Sequence, residues 1–309
     1  MKSIIYAGLD VAKPSFVLHL AGKIITLPNT KVGHRKLVLA LSKHQNLQVI
    51  CEASGGYERG IFDALCAANI PASVLNPRQI HHFAKSLGSR AKTDPLDAQL
   101  LSLYGQRMRP EPTAPRTQQE RQLAELVRHR RSLLGALRAQ QQSLEQVQYA
   151  PLRRELKTLL KQMEARLAKI ETLIGERQKS DPELERKSQR LTQITGVGKL
   201  TAISLLAEMP ELGTLRSKQA AALAGLAPYA RESGAWKGCR SICGGRAEVR
   251  RILYMAALSA KRYHSTLSGF YQNLRAKGKP FKVAISAVMR KLLLLLNLAL
   301  KFPNLVLVN

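Results

Sequence analysis

The amino-acid sequence predicts three successive regions: an α/β domain, a pair of long helical arms and a helical C-terminal domain. Over residues 1–110, short apolar runs alternate with helical stretches, which is typical of a sheet covered by helices. Over residues 116–180, leucines recur at alternating spacings of three and four, the spacing of a coiled coil. Over residues 185–309, apolar helical stretches flank a glycine-rich turn, so the third region is expected to be helical.

The first region opens with three strand-like runs, which predict an antiparallel start to a sheet. Two later apolar runs predict further strands that alternate with helices. The predicted strands are 3–9, 16–21, 24–27, 47–52 and 72–75, and the predicted helices are 33–43, 57–68 and 78–86, followed by a helix that opens at Asp94. The order β, β, β, α, β, α, β, α indicates a mixed sheet with helices packed against it.

Four acidic residues fall where these elements end or begin. Asp10 ends the first strand and Glu52 ends the fourth, while Asp94 and Asp97 lie in the first turn of a helix that Pro95 favours. A carboxylate directly after a buried strand is costly unless a cation compensates its charge. Four carboxylates at one end of one sheet could bind two divalent cations, which activate the attacking oxygen and stabilise the leaving oxygen in phosphodiester cleavage.

Each acid also has a purely structural interpretation, and the spacing alone does not exclude it. Asp10 could be a turn residue, and Glu52 could be a strand-end acid that faces water. Asp94 could be the N-cap of its helix, with Asp97 as the capping-box partner three residues on.

The charge of the chain indicates a polyanionic partner. Lys and Arg number 49 against 21 acids, for a formal net charge of +28. Nucleic acid is the first candidate for such a partner, and an anionic membrane is the alternative. The longest apolar run, 292–300, is interrupted by Asn297 and is too short to span a bilayer, so it predicts a buried helix and no membrane partner.

The cysteines indicate a reducing compartment. Four thiols are scattered through 309 residues, which is unlike a disulfide framework and fits a cytoplasmic protein. Cys239 and Cys243 lack a second Cys or His pair at zinc spacing, so they are interpreted as structural thiols.

Three motifs carry a resemblance to a known family. GLDVAK at 8–13, CEASGGYE at 51–58 and KTDPLDA at 92–98 resemble the DEDD transposases of bacterial insertion sequences, the IS110 family. The resemblance implies that the first domain has the resolvase type of the RNase H fold. It also implies a Mg2+ cofactor and a catalytic, metal-binding acid set made of Asp10, Glu52, Asp94 and Asp97.

The middle of the chain predicts a linker followed by two helical arms. Residues 108–115 are rich in proline and are expected to end the first domain. The leucine pattern then runs to residue 147 and resumes after a break at Pro151, with 14 basic and 7 acidic residues over 116–179. These charges could only solvate a coiled coil, or they could contact nucleic acid or a second copy of the chain.

A glycine-rich turn and a basic last third complete the motifs that predict nucleic-acid binding. Gly196, Gly198 and Lys199 lie between apolar helical stretches and predict a helix-hairpin-helix, whose backbone N–H groups approach a phosphate, although a plain glycine turn is the alternative. From residue 214 onward there are 17 Lys or Arg and two acids. Further candidate contacts to nucleic acid are Arg231, Arg240, Arg246, Arg250 and Arg251.

Ser233 is the candidate nucleophile. A Ser-Gly pair on its own is usually a turn. The resemblance places Ser233, within Arg231-Glu232-Ser233-Gly234, on the nucleophilic serine of the family's C-terminal transposase domain. Ser241 is a rival that spacing alone does not exclude.

Together these observations predict a DNA recombinase that mobilises an insertion sequence. The resemblance further implies a structured guide RNA made by the element. Assembly into at least a dimer is expected, because exchange requires several strands to be cut together, and the protein is expected in the cytoplasm, associated with the nucleoid. Two other interpretations remain open at this point. One is a metal-only nuclease that resolves DNA junctions, with a structural Ser233, and the other is a non-catalytic architectural binder of nucleic acid.

Overall fold

The computed structural model of the chain describes residues 4–88, 93–230, 232–234, 236–238 and 240–306, with the backbone alone at Trp236 and Lys237. It divides into two compact units, Met1–Arg116 and Thr117–Asn309. The boundary lies at the end of the proline-rich stretch that the sequence predicts as a linker.

The first unit is built on a mixed sheet of five strands. Strands β1, β2 and β3 form an antiparallel meander, and β4 and β5 are added in parallel on the other side of β1, giving the order β3-β2-β1-β4-β5. The strands are β1 (Ile5–Val11), β2 (Ser15–Leu20), β3 (Lys23–Pro28), β4 (Leu47–Glu52) and β5 (Ala72–Leu75). The predicted antiparallel start and mixed sheet are therefore confirmed.

Helices cover both faces of this sheet. Leu37 of α1 and Ile61 of α2 pack with Leu9 and Val49 on one face. Leu101 of α4 packs with Tyr6 and Ile50 on the other face, because side chains alternate between the faces along each strand. The helices are α1 (Lys31–Leu41), α2 (Arg59–Ala67), α3 (Pro77–Ser86) and α4 (Asp94–Met108).

Helix α4 approaches β1 unusually closely at Gly8. A Cβ on Gly8 would lie 2.5 Å from the backbone nitrogen of Ser102 and closer still to the carbonyl oxygen of Ala98. The Ser102 hydroxyl donates a hydrogen bond of 2.6 Å to the carbonyl oxygen of Tyr6. Since Tyr6 meets Ser102 and Gly8 meets Ala98, α4 runs antiparallel to β1.

The stretch predicted as a linker is attached to the sheet. The amide nitrogen of Thr113 donates to the carbonyl oxygen of Ala72 at 2.8 Å, and the Thr113 hydroxyl accepts from the amide of Val74 at 2.9 Å. The Ser73 hydroxyl donates to the carbonyl oxygen of Glu111 at 2.7 Å. These bonds satisfy the edge of β5, which would otherwise expose unpaired backbone groups.

The second unit begins with the two predicted arms, which form an antiparallel helical hairpin. Helix α5 (Gln118–Gln146) and helix α6 (Ala150–Lys179) are separated by three residues, and Pro151 lies in the first turn of α6. At the base of the hairpin, Leu123 and Ile174 share a core with Ile203 of the following region. Because of this shared core, the regions predicted as 116–180 and 185–309 form a single compact unit.

The rest of the second unit is mainly helical, as predicted, with four short strands between residues 228 and 242 that the sequence analysis did not predict, and its core surrounds the last helix. The helices are α7 (Pro182–Thr192), α8 (Lys199–Glu208), α9 (Ser217–Leu223), α10 (Ala247–Tyr263), α11 (Ser265–Ala276) and α12 (Phe281–Lys301). Helix α12 is long and apolar enough to cross a membrane, yet half of its most apolar stretch is buried inside the unit. Leu292, Leu293 and Leu296 lie in the main core, which confirms the predicted buried helix.

His264 is buried where α10 meets α11. It is 2% exposed, and neither ring nitrogen has a hydrogen-bond partner among the residues that the structure describes. Burial lowers the pKa of His264 below the ordinary value of 6.5, because the charged ring would lose its hydration.

We expect His264 to make folding weaker in acid. The unfolded chain protonates this ring near its ordinary pKa while the folded chain keeps it neutral, so the stabilisation present at neutral pH is lost as the pH falls. The loss is at most about 1.4 kcal/mol per pH unit below that value. Urea titrations from about pH 7.5 to about pH 5.5 should show a steeper fall for the wild type than for His264→Leu. Equal slopes would contradict this.

Gly8→Ala should destabilise the first unit by about 1–3 kcal/mol, because α4 must move away from β1 to admit the methyl group. The matched control is Gly135→Ala in α5, where an added Cβ would meet no other atom within 4 Å. The control should be neutral or stabilising by about 0.5–1 kcal/mol, since alanine favours a helix. Urea unfolding of the two variants measures both effects, and equal stabilities would show that the packing at Gly8 is loose.

Candidate active site

Asp10 and Glu52 lie side by side at one end of the sheet. Leu9 of β1 is paired with Cys51 of β4 in the parallel ladder, so the next residues along the two strands, Asp10 and Glu52, are neighbours. Both are partly buried. Because side chains alternate along a strand, both lie on the same face as Tyr6, the face that α4 covers.

The start of α4 lies at the same end of the sheet. The helix runs antiparallel to β1 and crosses it at Ala98, so its first turn lies beyond Gly8, toward Asp10. Asp94 is exposed and Asp97 is partly buried in that first turn. The N-cap residue of α4 is Thr93, and Asp94 is the first residue of the helix. Asp94 is therefore not the N-cap.

The four acids provide the ligand chemistry of a divalent cation, although their side chains are not gathered around one point. Carboxylate oxygens are the ligands that Mg2+ and related hard cations prefer. Among the residues that the structure describes, no three His, Cys, Asp or Glu side chains form a group that could hold a metal ion. The backbone thus brings the acids to one end of the sheet, and binding of a cation would require their side chains to turn toward it.

A residue that the sequence analysis did not single out organises the loop after Glu52. Glu58 is 9% exposed, and its carboxylate accepts hydrogen bonds from the amide and hydroxyl of Ser54, both at 3.0 Å, and from the amide of Gly56 at 2.8 Å. Gly55 and Gly56 have positive φ angles of 73° and 111°, which glycine adopts at little cost. The Ser-Gly-Gly sequence before a glutamate was the signal for this loop, since it predicts a turn with free amide groups.

Glu58 also affects Cys51, the residue of β4 that precedes Glu52. Burial, with the nearby Glu58 charge as the second cause, raises the pKa of Cys51 to about 12. Cys51 is a buried thiol and Cys243 an exposed one, and Cys239 lies outside the described residues.

Ser233 lies near the tip of an exposed β-hairpin in the second unit. Strand β7 (Glu232–Ser233) pairs with β8 (Trp236–Lys237), and Gly234 has a φ angle of 56° at the turn. Nearer the helices, β6 (Pro228–Tyr229) pairs with β9 (Ser241–Ile242) and closes the base of the hairpin. Ser233 and the rival Ser241 are both exposed, so exposure does not distinguish them as nucleophiles.

Comparison with known proteins identifies the family. A family profile described as "Transposase", of the DEDD type, matches residues 7–151, and the "Transposase IS116/IS110/IS902 family" matches residues 188–272. The pilin gene-inverting proteins of Moraxella bovis and Moraxella lacunata are each 31% identical over 305 residues, covering 93% of this chain and 93% of the relative. This chain belongs to the IS110 family of transposases. The predicted family is therefore confirmed, and the protein is an enzyme that recombines DNA.

Two solved structures have a weaker likeness to this transposase. Thermus thermophilus RuvC is 15% identical with a TM-score of 0.29, covering 35% of this chain and 99% of that chain. RuvC of T. thermophilus in complex with a Holliday junction substrate is 14% identical with a TM-score of 0.28, covering 36% of this chain and 100% of that chain. At these scores the likeness carries no argument, so the α/β class of the first unit rests on its own strand order.

Two of the arginines predicted to bind nucleic acid hold the base of the transposase's serine hairpin. The Arg246 guanidinium makes two hydrogen bonds to the Glu211 carboxylate, at 2.7 and 2.8 Å, and donates to the carbonyl oxygen of Glu208 at 2.9 Å. The Arg250 guanidinium donates to the carbonyl oxygens of Gly244 and Ala224. These guanidinium groups are therefore engaged by the protein, which the sequence pattern did not indicate.

The remaining predicted contacts of the transposase differ in how accessible they are. Arg251 and Arg240 have side chains 65% and 67% exposed, with ion pairs to Glu248 at 3.0 Å and to Glu232 at 3.8 Å. Such exposed pairs are weak and could yield to a phosphate. Arg231 lies outside the described residues.

At the stretch predicted as a helix-hairpin-helix, α7 and α8 flank a turn whose two glycines differ. Gly196 has a φ angle of 99°, and a Cβ there would lie 2.7 Å from the amide nitrogen of Ala260, so it serves close packing on α10. Gly198 is the N-cap of α8, and both it and Lys199 are exposed at the helix N-terminus. The phosphate-binding role stays a prediction for these two residues.

We expect Arg246 to contribute to folding more than to nucleic-acid affinity. A double-mutant cycle of Arg246→Ala with Glu211→Ala, followed by urea unfolding, should give a coupling energy of about 1 kcal/mol, because the pair is bidentate but partly exposed. Arg251→Ala is the control and should change stability by less than about 0.5 kcal/mol while weakening binding to DNA at low salt. A coupling energy near zero, together with a loss of DNA affinity in Arg246→Ala, would instead support the prediction that Arg246 contacts a phosphate.

Proposed function

We propose that this transposase cuts and rejoins DNA at the ends of an insertion sequence through a metal-dependent acid site and a covalent phosphoserine intermediate. The observation that carries the proposal is the placement of Asp10 beside Glu52, at the end of the sheet where α4 begins with Asp94 and Asp97. The strand order and the family support an RNase H-like fold for this unit.

The acids and the serine have separate roles in the proposed reaction. Asp10, Glu52, Asp94 and Asp97 would hold Mg2+, which supplies positive charge against the developing negative charge on the phosphoryl oxygens. The Ser233 oxygen forms a bond to phosphorus, and the bond from phosphorus to the departing strand oxygen breaks. The proton of the serine hydroxyl passes to a base, and the departing oxygen takes up a proton. The phosphodiester energy is kept in the new ester, so the strand can be rejoined without a nucleotide cofactor.

The exposed position of Ser233 suits this role. A nucleophile at the tip of a two-stranded hairpin can reach a phosphate in a DNA backbone without displacing a core. The anchored base of the hairpin, at Arg246 and Arg250, limits the conformations that its tip samples. Arg240, which is exposed near the same strand, is the candidate to stabilise charge on the attacked phosphate.

The proposed partners are element DNA, target DNA and a structured guide RNA made by the element. The net charge of +28 favours binding to polyanions, which include both DNA and RNA. We propose that the protein acts as at least a dimer in the cytoplasm, at the nucleoid, because strand exchange needs several strands to be cut together. The relatives called pilin gene-inverting proteins support recombination of DNA as the outcome.

The alternative function is a metal-only endonuclease that resolves DNA junctions by hydrolysis. It needs the same four acids and assigns Ser233 a structural role. The exposure of Ser233 favours the serine mechanism, because a structural serine near a hairpin tip would have little to stabilise.

The deciding experiment looks for DNA bound covalently to the protein. Wild-type protein is incubated with junction DNA of its element, Mg2+ and RNA transcribed from the element's flank, and the products are separated on a denaturing gel. We expect an adduct that is lost in Ser233→Ala and in Asp97→Asn and retained in Ser241→Ala. The loss in Ser233→Ala should exceed about 10³-fold, as for other removed nucleophiles.

The same gel separates the alternatives. Cleavage without an adduct, undiminished in Ser233→Ala, would leave the metal-only endonuclease. An adduct lost in Ser241→Ala and retained in Ser233→Ala would identify Ser241, at the base of the hairpin, as the nucleophile. Binding without any cleavage, whether or not Mg2+ is added, would support an architectural protein. A reaction that omits the RNA tests whether the guide is required.

A further inference from the structure

A single side chain joins the two loops that follow the strands of Asp10 and Glu52. Asn29 lies between β3 and α1, and its amide nitrogen donates to the carbonyl oxygen of Ala12 at 2.9 Å and to the carbonyl oxygen of Tyr57 at 3.2 Å. Ala12 is two residues beyond Asp10, and Tyr57 belongs to the loop that begins after Glu52. Asn29 therefore uses both amide hydrogens to connect the two strand ends.

The orientation of the Asn29 amide follows from its partners. Backbone carbonyl oxygens only accept hydrogen bonds, so the amide nitrogen of Asn29 must face Ala12 and Tyr57. Its oxygen then faces His34, whose Nε2 atom lies 2.8 Å away and must carry the hydrogen. Burial lowers the pKa of His34, which favours the neutral ring.

The ring of His34 is held in place by α2. A Cβ on Gly60 would lie 2.9 Å from the Cε1 atom of His34, so the ring packs directly on the helix backbone at this glycine. Asn29 is thus fixed from both sides, by the two loops and by His34. Both amide hydrogens and the amide oxygen of Asn29 are therefore engaged in hydrogen bonds.

The bridge lies where the sheet itself no longer connects the two strands. The last ladder pair between β1 and β4 is Leu9 with Cys51, so Asp10 and Glu52 come just after it. Beyond that pair, the Glu58 carboxylate holds the loop at Ser54 and Gly56. The Asn29 bridge then connects this loop to the residues that follow Asp10.

We infer that Asn29 is a positioning residue that holds the backbone segments after Asp10 and Glu52 together, so that the two carboxylates can turn toward one divalent cation. The inference rests on the proposed function, in which these acids bind the cation, and it adds a residue that does not touch the cation. Residues that orient metal ligands usually change metal affinity or activity by about 10- to 100-fold when they are replaced.

Asn29→Asp is the sharpest test, because it keeps the size of the side chain and replaces the donating nitrogen by an oxygen. A carboxylate oxygen facing two carbonyl oxygens repels them, so the bridge should open. Binding of Mn2+ to the full-length protein, measured by calorimetry and by the electron paramagnetic resonance signal of the free ion, should weaken by about 10- to 100-fold. DNA affinity at fixed salt should stay within about twofold of wild type, because one charge changes among many.

The matched control is Asn46→Asp, which makes the same change of charge in the same unit. Asn46 is exposed, precedes β4 at the end opposite Glu52, and has a φ angle of 54°, a conformation that aspartate also tolerates. The control should bind Mn2+ like the wild type. Equal weakening in both variants would assign the effect to charge and overturn the inference.

Asn29→Ala separates positioning from misfolding, because it removes the two donors without adding repulsion. Circular dichroism and urea unfolding should show a folded protein, and amide hydrogen exchange should speed up at residues 12–13 and 53–57. A folded Asn29→Ala with unchanged exchange and unchanged Mn2+ binding would overturn the inference.

The proposed function fails in a different way. If wild-type protein and Asp10→Asn bind Mn2+ equally, the acids are not the cation site, and the proposed function is lost. If Asp10→Asn abolishes binding while Asn29→Asp leaves it unchanged, the acid site stands and only the positioning role is lost.

Discussion

The contact between Gly8 of β1 and Ala98 of α4 determines the geometry on which the candidate site depends. With no Cβ between them, helix and strand backbones touch, and the antiparallel crossing brings the first turn of α4 to the end of β1 where Asp10 lies. The hydrogen bond from Ser102 to the carbonyl oxygen of Tyr6 fixes the helix along the strand. A larger residue at position 8 would move Asp94 and Asp97 away from Asp10, even though Gly8 is not itself one of the acids.

In the second unit too, the residues that support the candidate site are different from the residue proposed to react. Its candidate nucleophile, Ser233, is carried on an exposed hairpin, whereas the base of the hairpin is held by Arg246 and Arg250. Gly225 has a φ angle of 67° and packs against Gly244, so the base admits no larger side chain there. A rigid base with an accessible tip can offer a hydroxyl to a large substrate without a buried pocket.

The charge of the second unit is also divided between folding and binding. Acids such as Glu171, Glu208 and Glu211 pair with arginines that join helices or loops, as in the bond of 2.7 Å between Arg130 of α5 and Glu171 of α6. These ion pairs engage only some of the basic residues, because Lys and Arg outnumber the acids. The excess of positive charge favours binding to a polyanion. Net charge predicts the class of partner, but it does not tell which arginines make the contact.

Sequence alone determined the order of strands and helices along the first unit, the helix start at Asp94, the two helical arms with a break near Pro151, and the buried last helix. These features depend on residues near one another in the chain, whose periodicity encodes them. Tertiary structure decided the pairing of Leu9 with Cys51, the direction of α4, the attachment of Glu111 and Thr113 to β5, and the partners of Arg246 and Asn29. Glu211 lies 35 residues from Arg246, and Tyr57 lies 28 residues from Asn29. Side chains so far apart meet only through the packing of the whole unit, and no local pattern records it.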